Sequence, residues 1–191
     1  MKHAKRVLTG LLAAVALVVF AGCGGADTST PTGAFDAGIK AVKSYNKDGI
    51  AKYFEGVTAE DLTSSMGGTS AFDEALVVDL VKTMYEKLDC KVVSESVEDA
   101  TATLTVEVKW LDPTQLQQNY ISAVLSSSIA SDLMSGKTMT EEMQKEALNV
   151  MKSAISKTGQ GEASTKQVQM VKENGQWKIS QDALESLLQK N

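Results

Sequence analysis

The chain has 191 residues, with 19 basic and 24 acidic side chains and a formal net charge of −5. It has no basic cluster of the kind that grips a nucleic-acid backbone. Its only histidine, His3, and its only arginine, Arg6, both fall in the first six residues. A chain that loses its N-terminus therefore keeps no imidazole for acid–base work near neutral pH and no guanidinium fork for bidentate anion recognition.

Lys2, Lys5 and Arg6 form a positive start, and Val7 to Phe20 follow as an apolar run broken only by Thr9 and Gly10. Small residues then lead to a cysteine in Phe20-Ala21-Gly22-Cys23. A basic start, a short apolar core and small residues before a cut site describe a secretory signal peptide. The run is too short for a permanent span, which needs roughly 20 apolar residues. The stop at cysteine resembles the bacterial lipoprotein lipobox, matching at Ala21, Gly22 and Cys23, with Phe20 where leucine is usual. That resemblance implies cleavage between Gly22 and Cys23, a diacylglyceryl thioether on Cys23 and further acylation (palmitate-type chains). Two or more chains anchor stably where one does not. The expected location is the extracytoplasmic face of the cell membrane, within the cell envelope.

Cleavage there leaves 169 residues, Cys23 to Asn191, enough for one domain with a real core. The leader removes three of the 19 basic residues and none of the 24 acidic ones, so the mature chain carries 16 against 24, a net of −8. An acidic body is repelled by anionic headgroups, so the anchor alone is expected to touch the bilayer. With Cys23 acylated, Cys90 has no partner for an internal disulfide, and a zinc site of Cys and His ligands is excluded.

Residues 24–33 (GGADTSTPTG) read as a flexible tether of at most ~35 Å. A domain is expected over 34–191. Phe35, Ile39, Val42 and Tyr45 predict a helix to about Asn46. A tight turn follows at 46–49, then a short second helix from Asp48 carrying Ile50, Tyr53 and Phe54. One more turn is expected over Thr58–Leu62 and a loop over Ser64–Ser70. Ser70 with Asp73 forms a capping box, opening a helix whose apolar stripe is Phe72, Leu76, Val77, Leu80, Val81, Met84, Tyr85 and Leu88.

The period then changes to two. Cys90–Val97 predicts a strand, Glu98-Asp99 a turn, and Thr101–Trp110 a second strand with Ala102, Leu104, Val106, Val108 and Trp110 on one face. One apolar face and one polar face predict an antiparallel sheet with helices on one side. Asp112-Pro113 ends that strand. Residues 114–157 predict an inserted αα-hairpin. Its first helix runs to about Ser135, with Leu116, Tyr120, Val124, Leu125, Ile129 and Leu133 inward. The second is capped by Thr140 and reaches Ser156, with Met143, Ala147, Val150, Met151, Ala154 and Ile155 inward. Ser164–Lys172 and Gln176–Ser180 pair through a type I′ turn at Asn174-Gly175. Asp182 caps a final helix carrying Leu184, Leu187 and Leu188.

The order of leader, helices with Lys47-Asp48-Gly49 before Tyr53-Phe54, strand hairpin, helical excursion and a terminal Asn174-Gly175-Gln176-Trp177-Lys178-Ile179 hairpin carries a resemblance. It resembles the small bacterial lipoproteins with an NTF2-like domain of unknown function, of the DUF5105 and DUF4878 kind. The resemblance covers about Ala34 to Asn191. It implies an α+β, NTF2-like or cystatin-like cone: a curved antiparallel sheet with helices on one face. It implies no established activity.

Some NTF2-like proteins are enzymes that set an aspartate base beside tyrosine or aspartate donors. Asp36, Tyr45, Tyr53, Asp73, Asp79 and Tyr85 are the available residues here, and no spacing singles out a pair with a raised carboxylate pKa. The expectation is no catalytic residue and a non-enzymatic protein. Met134, Met139, Met143 and Met151 crowd the excursion; thioethers bind Cu(I), but without a Met-x-x-Met motif and histidines helix–helix gap filling is the better account. Asp99 and Asp112 lie outside any calcium-loop pattern. No metal and no cofactor are expected. Trp110 and Trp177, with Tyr53 and Tyr85, are the candidate ligand-binding residues, as a platform in the cone mouth. Cys90 reads as a small buried hydrophobe. The function expected is a membrane-anchored binding module for a small apolar ligand or an envelope protein partner. The alternatives are an assembly role through the helical hairpin, which needs an exposed apolar patch there, or a cone-pocket enzyme.

Overall fold

A computed structural model describes residues 27–64 and 74–188. The leader, Gly22 and Cys23, the Ser70–Asp73 capping box and Phe72 lie outside the described residues.

The first helix, α1 (Pro31–Ser44), starts three residues before the predicted Ala34. Thr30 is its N-cap, taking the Gly33 N–H on its hydroxyl, and Pro31 occupies the first turn, where its missing N–H costs nothing. The helix thus takes in the last three residues of the segment read from sequence as a tether. Tyr45 closes α1 in the left-handed region (φ 52°), and Asn46 caps α2 (Lys47–Tyr53). The tight turn thus sits at Tyr45-Asn46, and Lys47-Asp48-Gly49 is the opening turn of α2. Next come α3 (Ala59–Ser64) and α4 (Glu74–Tyr85), which buries Val77, Leu80, Val81 and Tyr85.

Four strands form one open antiparallel sheet in the order β1-β2-β3-β4: β1 (Asp89–Glu98), β2 (Thr101–Lys109), β3 (Ser164–Glu173) and β4 (Gln176–Ile179). The fold is α+β. Ala102, Leu104, Val106 and Val108 are buried, as their alternation predicts, and Val168, Met170, Trp177 and Ile179 continue that face on β3 and β4. The other face carries threonines and glutamines, with Thr103 donating to Gln169 and Gln167 to Thr105. Asn174 and Gly175 both have positive φ, 50° and 82°, as a type I′ turn requires.

One feature of β1 departs from simple alternation. A bulge between Val92 and Ser94 leaves Val93 unpaired and exposed. A single inserted residue swaps the faces beyond it. Glu95 and Val97 thereby oppose Leu104 and Ala102 and share their helix-side face. The Glu95 carboxylate then accepts the Thr32 N–H at 3.0 Å and the Thr32 hydroxyl at 2.6 Å. A negative charge at a helix N-terminus is favourable, so β1 fastens the start of α1.

The far edge strand, β4, is covered: the Glu55 N–H donates to the Ile179 carbonyl at 2.9 Å beside a Phe54–Ile179 bridge. The core is filled from α1 and α2 by Phe35, Val42, Ile50 and Phe54, all essentially inaccessible.

The excursion contains α5 (Pro113–Leu125), α6 (Ser128–Met134) and α7 (Glu141–Lys157). Asp112 ends the strand by capping α5 at the Gln115 N–H. The predicted single helix to Ser135 is broken at Ser126-Ser127. Their hydroxyls donate back to the Ser122 and Val124 carbonyls, and the N–H and hydroxyl of Ser128 are taken by Glu146 of α7. Serine side chains that bond local backbone in this way compete with helix continuation. Thr140 caps α7 as predicted, and α8 (Gln181–Leu188) begins one residue before Asp182.

Candidate functional site

Of the four candidate ligand-binding residues, the structure brings Trp110 and Tyr85 together and places Trp177 and Tyr53 apart from them. Trp177 pairs across from Lys172, whose N–H donates to the Ala100 carbonyl, so Trp177 stands at the start of β2. Trp110 follows the end of β2. Nine residues of strand put the two indoles about 30 Å apart. Trp177 is 3% exposed, a core side chain with the Lys172 Nζ 5.3 Å from its ring centre. Trp110 instead packs on Tyr85, ring centres 5.7 Å apart and tilted by 47°. Burial pushes the Tyr85 hydroxyl up to about 12. Tyr53 is half-buried elsewhere, beside the Lys52 Nζ at 5.0 Å.

Of the residues weighed for acid–base chemistry, Asp79 is held by Lys152 of α7. Tyr45 is buried at the end of α1. Asp36 has its carboxyl pKa raised by partial burial. Among the described residues no carboxylate is hydrogen-bonded to a tyrosine hydroxyl, and no group of three or more His, Cys, Asp or Glu side chains could hold a metal ion. The four methionines of the excursion do not gather. Met143 is buried and Met151 half-buried on α7, while Met134 and Met139 face solvent.

An open groove of about 480 Å³ lies between α1 and the start of β1. Asp36, Lys40 and Lys43 line one side and Glu86, Asp89 and Cys90 the other. Its charged groups are of both signs, and Ile39 and Cys90 add apolar surface between them. Lys43 is already committed, donating to the Leu88 carbonyl at 2.8 Å. Cys90 sits in its wall only partly buried, and Lys43 is a basic neighbour that the sequence did not reveal. Burial first, then Asp89, pushes its thiol up to about 12, against the opposing pull of Lys43.

The assembly alternative requires an exposed apolar patch on the hairpin, and the outer side of α5 carries one, on residues that sequence reasoning turns inward or passes over. α5 contains no buried residue. It lies on α7 through Leu116, which joins a small second core of Leu80, Leu111 and Ile155. Asn119 donates to the Thr158 hydroxyl at 3.0 Å, and Gln115 accepts the Gly159 N–H. Tyr120 and Leu125, predicted inward, are exposed, as is Ile121; Leu125 is 73% accessible. At the far end of the excursion Met134 is 90% accessible and Met139 also faces water. A signal for this face was present in the sequence: residues 113–131 contain no charged side chain.

No protein-family model matches the chain, and no curated protein matches it. Among solved structures it is similar to ycdA from Bacillus subtilis subsp. subtilis str. 168, a protein assigned as a lipoprotein, with a TM-score of 0.57 and 17% identity. The likeness covers 86% of this chain and 56% of that one, so the chain spans little more than half of its neighbour's length. At this identity the likeness is one of fold.

Proposed function

We propose that this protein is a lipoprotein, anchored through acylated Cys23 on the extracytoplasmic face of the cell membrane. In this reading it works there as a non-enzymatic docking module. The anchor reading rests on the basic start, the apolar run and the Ala21-Gly22-Cys23 stop, and is in keeping with the fold likeness to a protein assigned as a lipoprotein. The domain reads as NTF2-like: a one-sided antiparallel sheet packed on α1, α2 and α4, with the α5–α7 excursion added.

One observation carries the docking reading. An entire helix, α5, buries none of its residues, bears no charge, and exposes Tyr120, Ile121 and Leu125. Depletion of charge with exposed aromatic and aliphatic side chains is the compositional mark of an interface core. The competing small-ligand reading has less to stand on. Phe35, Ile50 and Phe54 fill the space under the sheet, and the groove beside Cys90 is wide open to water and rimmed by charged side chains.

The test uses the full chain in its host, with a photo-crosslinking amino acid at position 125 or, as a control, at Thr165 on the outer sheet face. The docking reading expects a discrete protein adduct from position 125 alone, in the membrane fraction. Adducts from neither position, or from both equally, would remove it. Labelling with an alkyne fatty acid that persists in Cys23→Ser would remove the anchor reading.

A further inference from the structure

We infer that the turn end of the sheet, where Glu98-Asp99 and Asn174-Gly175 lie, is held facing the lipid surface by the short lead of chain from Cys23. The opposite end, with Asp89, Cys90 and the root of the α5–α7 excursion, faces away from the bilayer. This rests on the anchor reading above and adds an orientation to it.

Hydrogen bonds fix the end at which the chain enters. Asp27 is tied to the start of α1: its carbonyl accepts the Thr30 N–H at 3.1 Å and the Thr30 hydroxyl at 2.9 Å, and its carboxylate accepts the Ser29 N–H at 3.0 Å. Thr32 is held in turn on Glu95. Glu95 opposes Leu104, and β1 ends three residues on at Glu98, beside the turn. The Lys172 N–H donates to the Ala100 carbonyl, which brings Asn174-Gly175 to the same end. From there α1 runs to the other end of β1, where Lys43 donates to the Leu88 carbonyl. Asp89 and Cys90 stand there opposite Lys109 and Val108, and the bridge from Leu111 to Gln160 marks where the excursion leaves the sheet.

Length then decides the orientation. Only Gly24, Gly25 and Ala26 separate Cys23 from Asp27, so the lead spans at most ~14 Å when fully extended. A compact domain of about 160 residues is roughly 40 Å across. A lead of that length cannot pass around the body, so Asp27 stays on the membrane side. The latch of Thr32 on Glu95 opposes lengthening of the lead by fraying of α1. Adhesion contributes little. The turns carry Glu98, Asp99 and Glu173 against Lys172 and Lys178, which offers anionic headgroups no net attraction.

The experiment uses full-length protein acylated in its host and reconstituted in vesicles of phosphatidylcholine and phosphatidylglycerol, with an acceptor dye on some headgroups. Cys90→Ala removes the groove thiol, and an acylated Cys23 offers none. A donor dye is attached at Glu98→Cys or at Glu162→Cys, both exposed. Glu98 pairs with Thr101, and Glu162 follows Gly161, whose N–H donates to the Trp110 carbonyl. Nine residues of strand separate these levels, about 30 Å. The expected result is energy transfer to the membrane at least fivefold faster from position 98 than from position 162. Inserting twenty Gly-Ser residues between Gly24 and Gly25, a flexible span of about 25 Å, should bring that ratio below two. Equal transfer on vesicle-bound protein, or faster transfer from position 162, overturns the orientation and leaves the anchor standing. A ratio that survives the insert also overturns it, because adhesion and not the short lead would then hold the domain. Protein that does not float with the vesicles removes the anchor reading, and the orientation with it.

Discussion

Cys90 gives a quantitative check on the groove between α1 and β1. Burial and the neighbouring Asp89 push its thiol from an ordinary 9.0 up to about 12. At pH 8 an ordinary thiol is about one-tenth thiolate, whereas one titrating near 12 is about one ten-thousandth thiolate, a difference of about a thousandfold. A more basic thiolate is a better nucleophile, with a sensitivity of about 0.4–0.5 per pKa unit, which returns roughly 15- to 30-fold. Reaction with a disulfide reagent should therefore run about 30–60 times slower than that of free cysteine at pH 8, and should still be rising at pH 10. The sign for stability follows from the same shift. The folded state holds the thiol proton more tightly, so the contribution is complete below about pH 9 and is lost as pH rises towards 12. The urea midpoint should fall further between pH 8 and 10.5 in the parent than in Cys90→Ala, whose other titrating groups are the same. A Cys90 rate within fivefold of free cysteine, levelling off near pH 9, would refute the account of the groove wall.

Three other outcomes follow from the packing. Gly38 lies under the sheet, where an added Cβ would stand 2.8 Å from the Ile179 Cδ1 and 3.2 Å from the Phe54 Cε2. Helix propensity alone favours Gly38→Ala by about 1 kcal/mol. Overpacking against two fully buried side chains costs about 1–3 kcal/mol, so the variant should melt a few degrees lower in calorimetry. Glu95→Ala removes both acceptor contacts to Thr32 and should cost about 1–2 kcal/mol in urea unfolding; Glu95→Gln, keeping an acceptor without charge, should cost about half as much. Gly175 has φ 82° with open space around it, so Gly175→Ala should cost about 1 kcal/mol from backbone strain alone.

Much of the fold was legible because its signals are local. The alternation of Thr101–Lys109 reports a half-buried strand whatever lies beneath it. Asn174-Gly175 demands a turn with two positive φ angles, and Thr140 marks a helix start by satisfying the N–H group three residues on. The basic start and Ala21-Gly22-Cys23 are likewise read without a fold. The candidate site was far less legible. Trp110 and Trp177 both read as members of the buried face, but the sequence does not state that β4 pairs only with the end of β3, and that register sets them at opposite ends of the sheet. The period of β1 reads straight through Val93; only the pairing with β2 shows the bulge that turns Glu95 towards α1. In α5 the apolar residues wrap around more than one stripe, so periodicity alone cannot say which stripe is covered. That is decided by what is left to cover it. α7 already lies on α4, and α5 arrives as the outermost layer, touching its neighbour through Leu116 and Asn119 and leaving Tyr120, Ile121 and Leu125 in water. Local chemistry fixes where elements begin, end and alternate. Which of their faces meet is a property of the whole packed chain, and here it settles which surface of α5 is left in water.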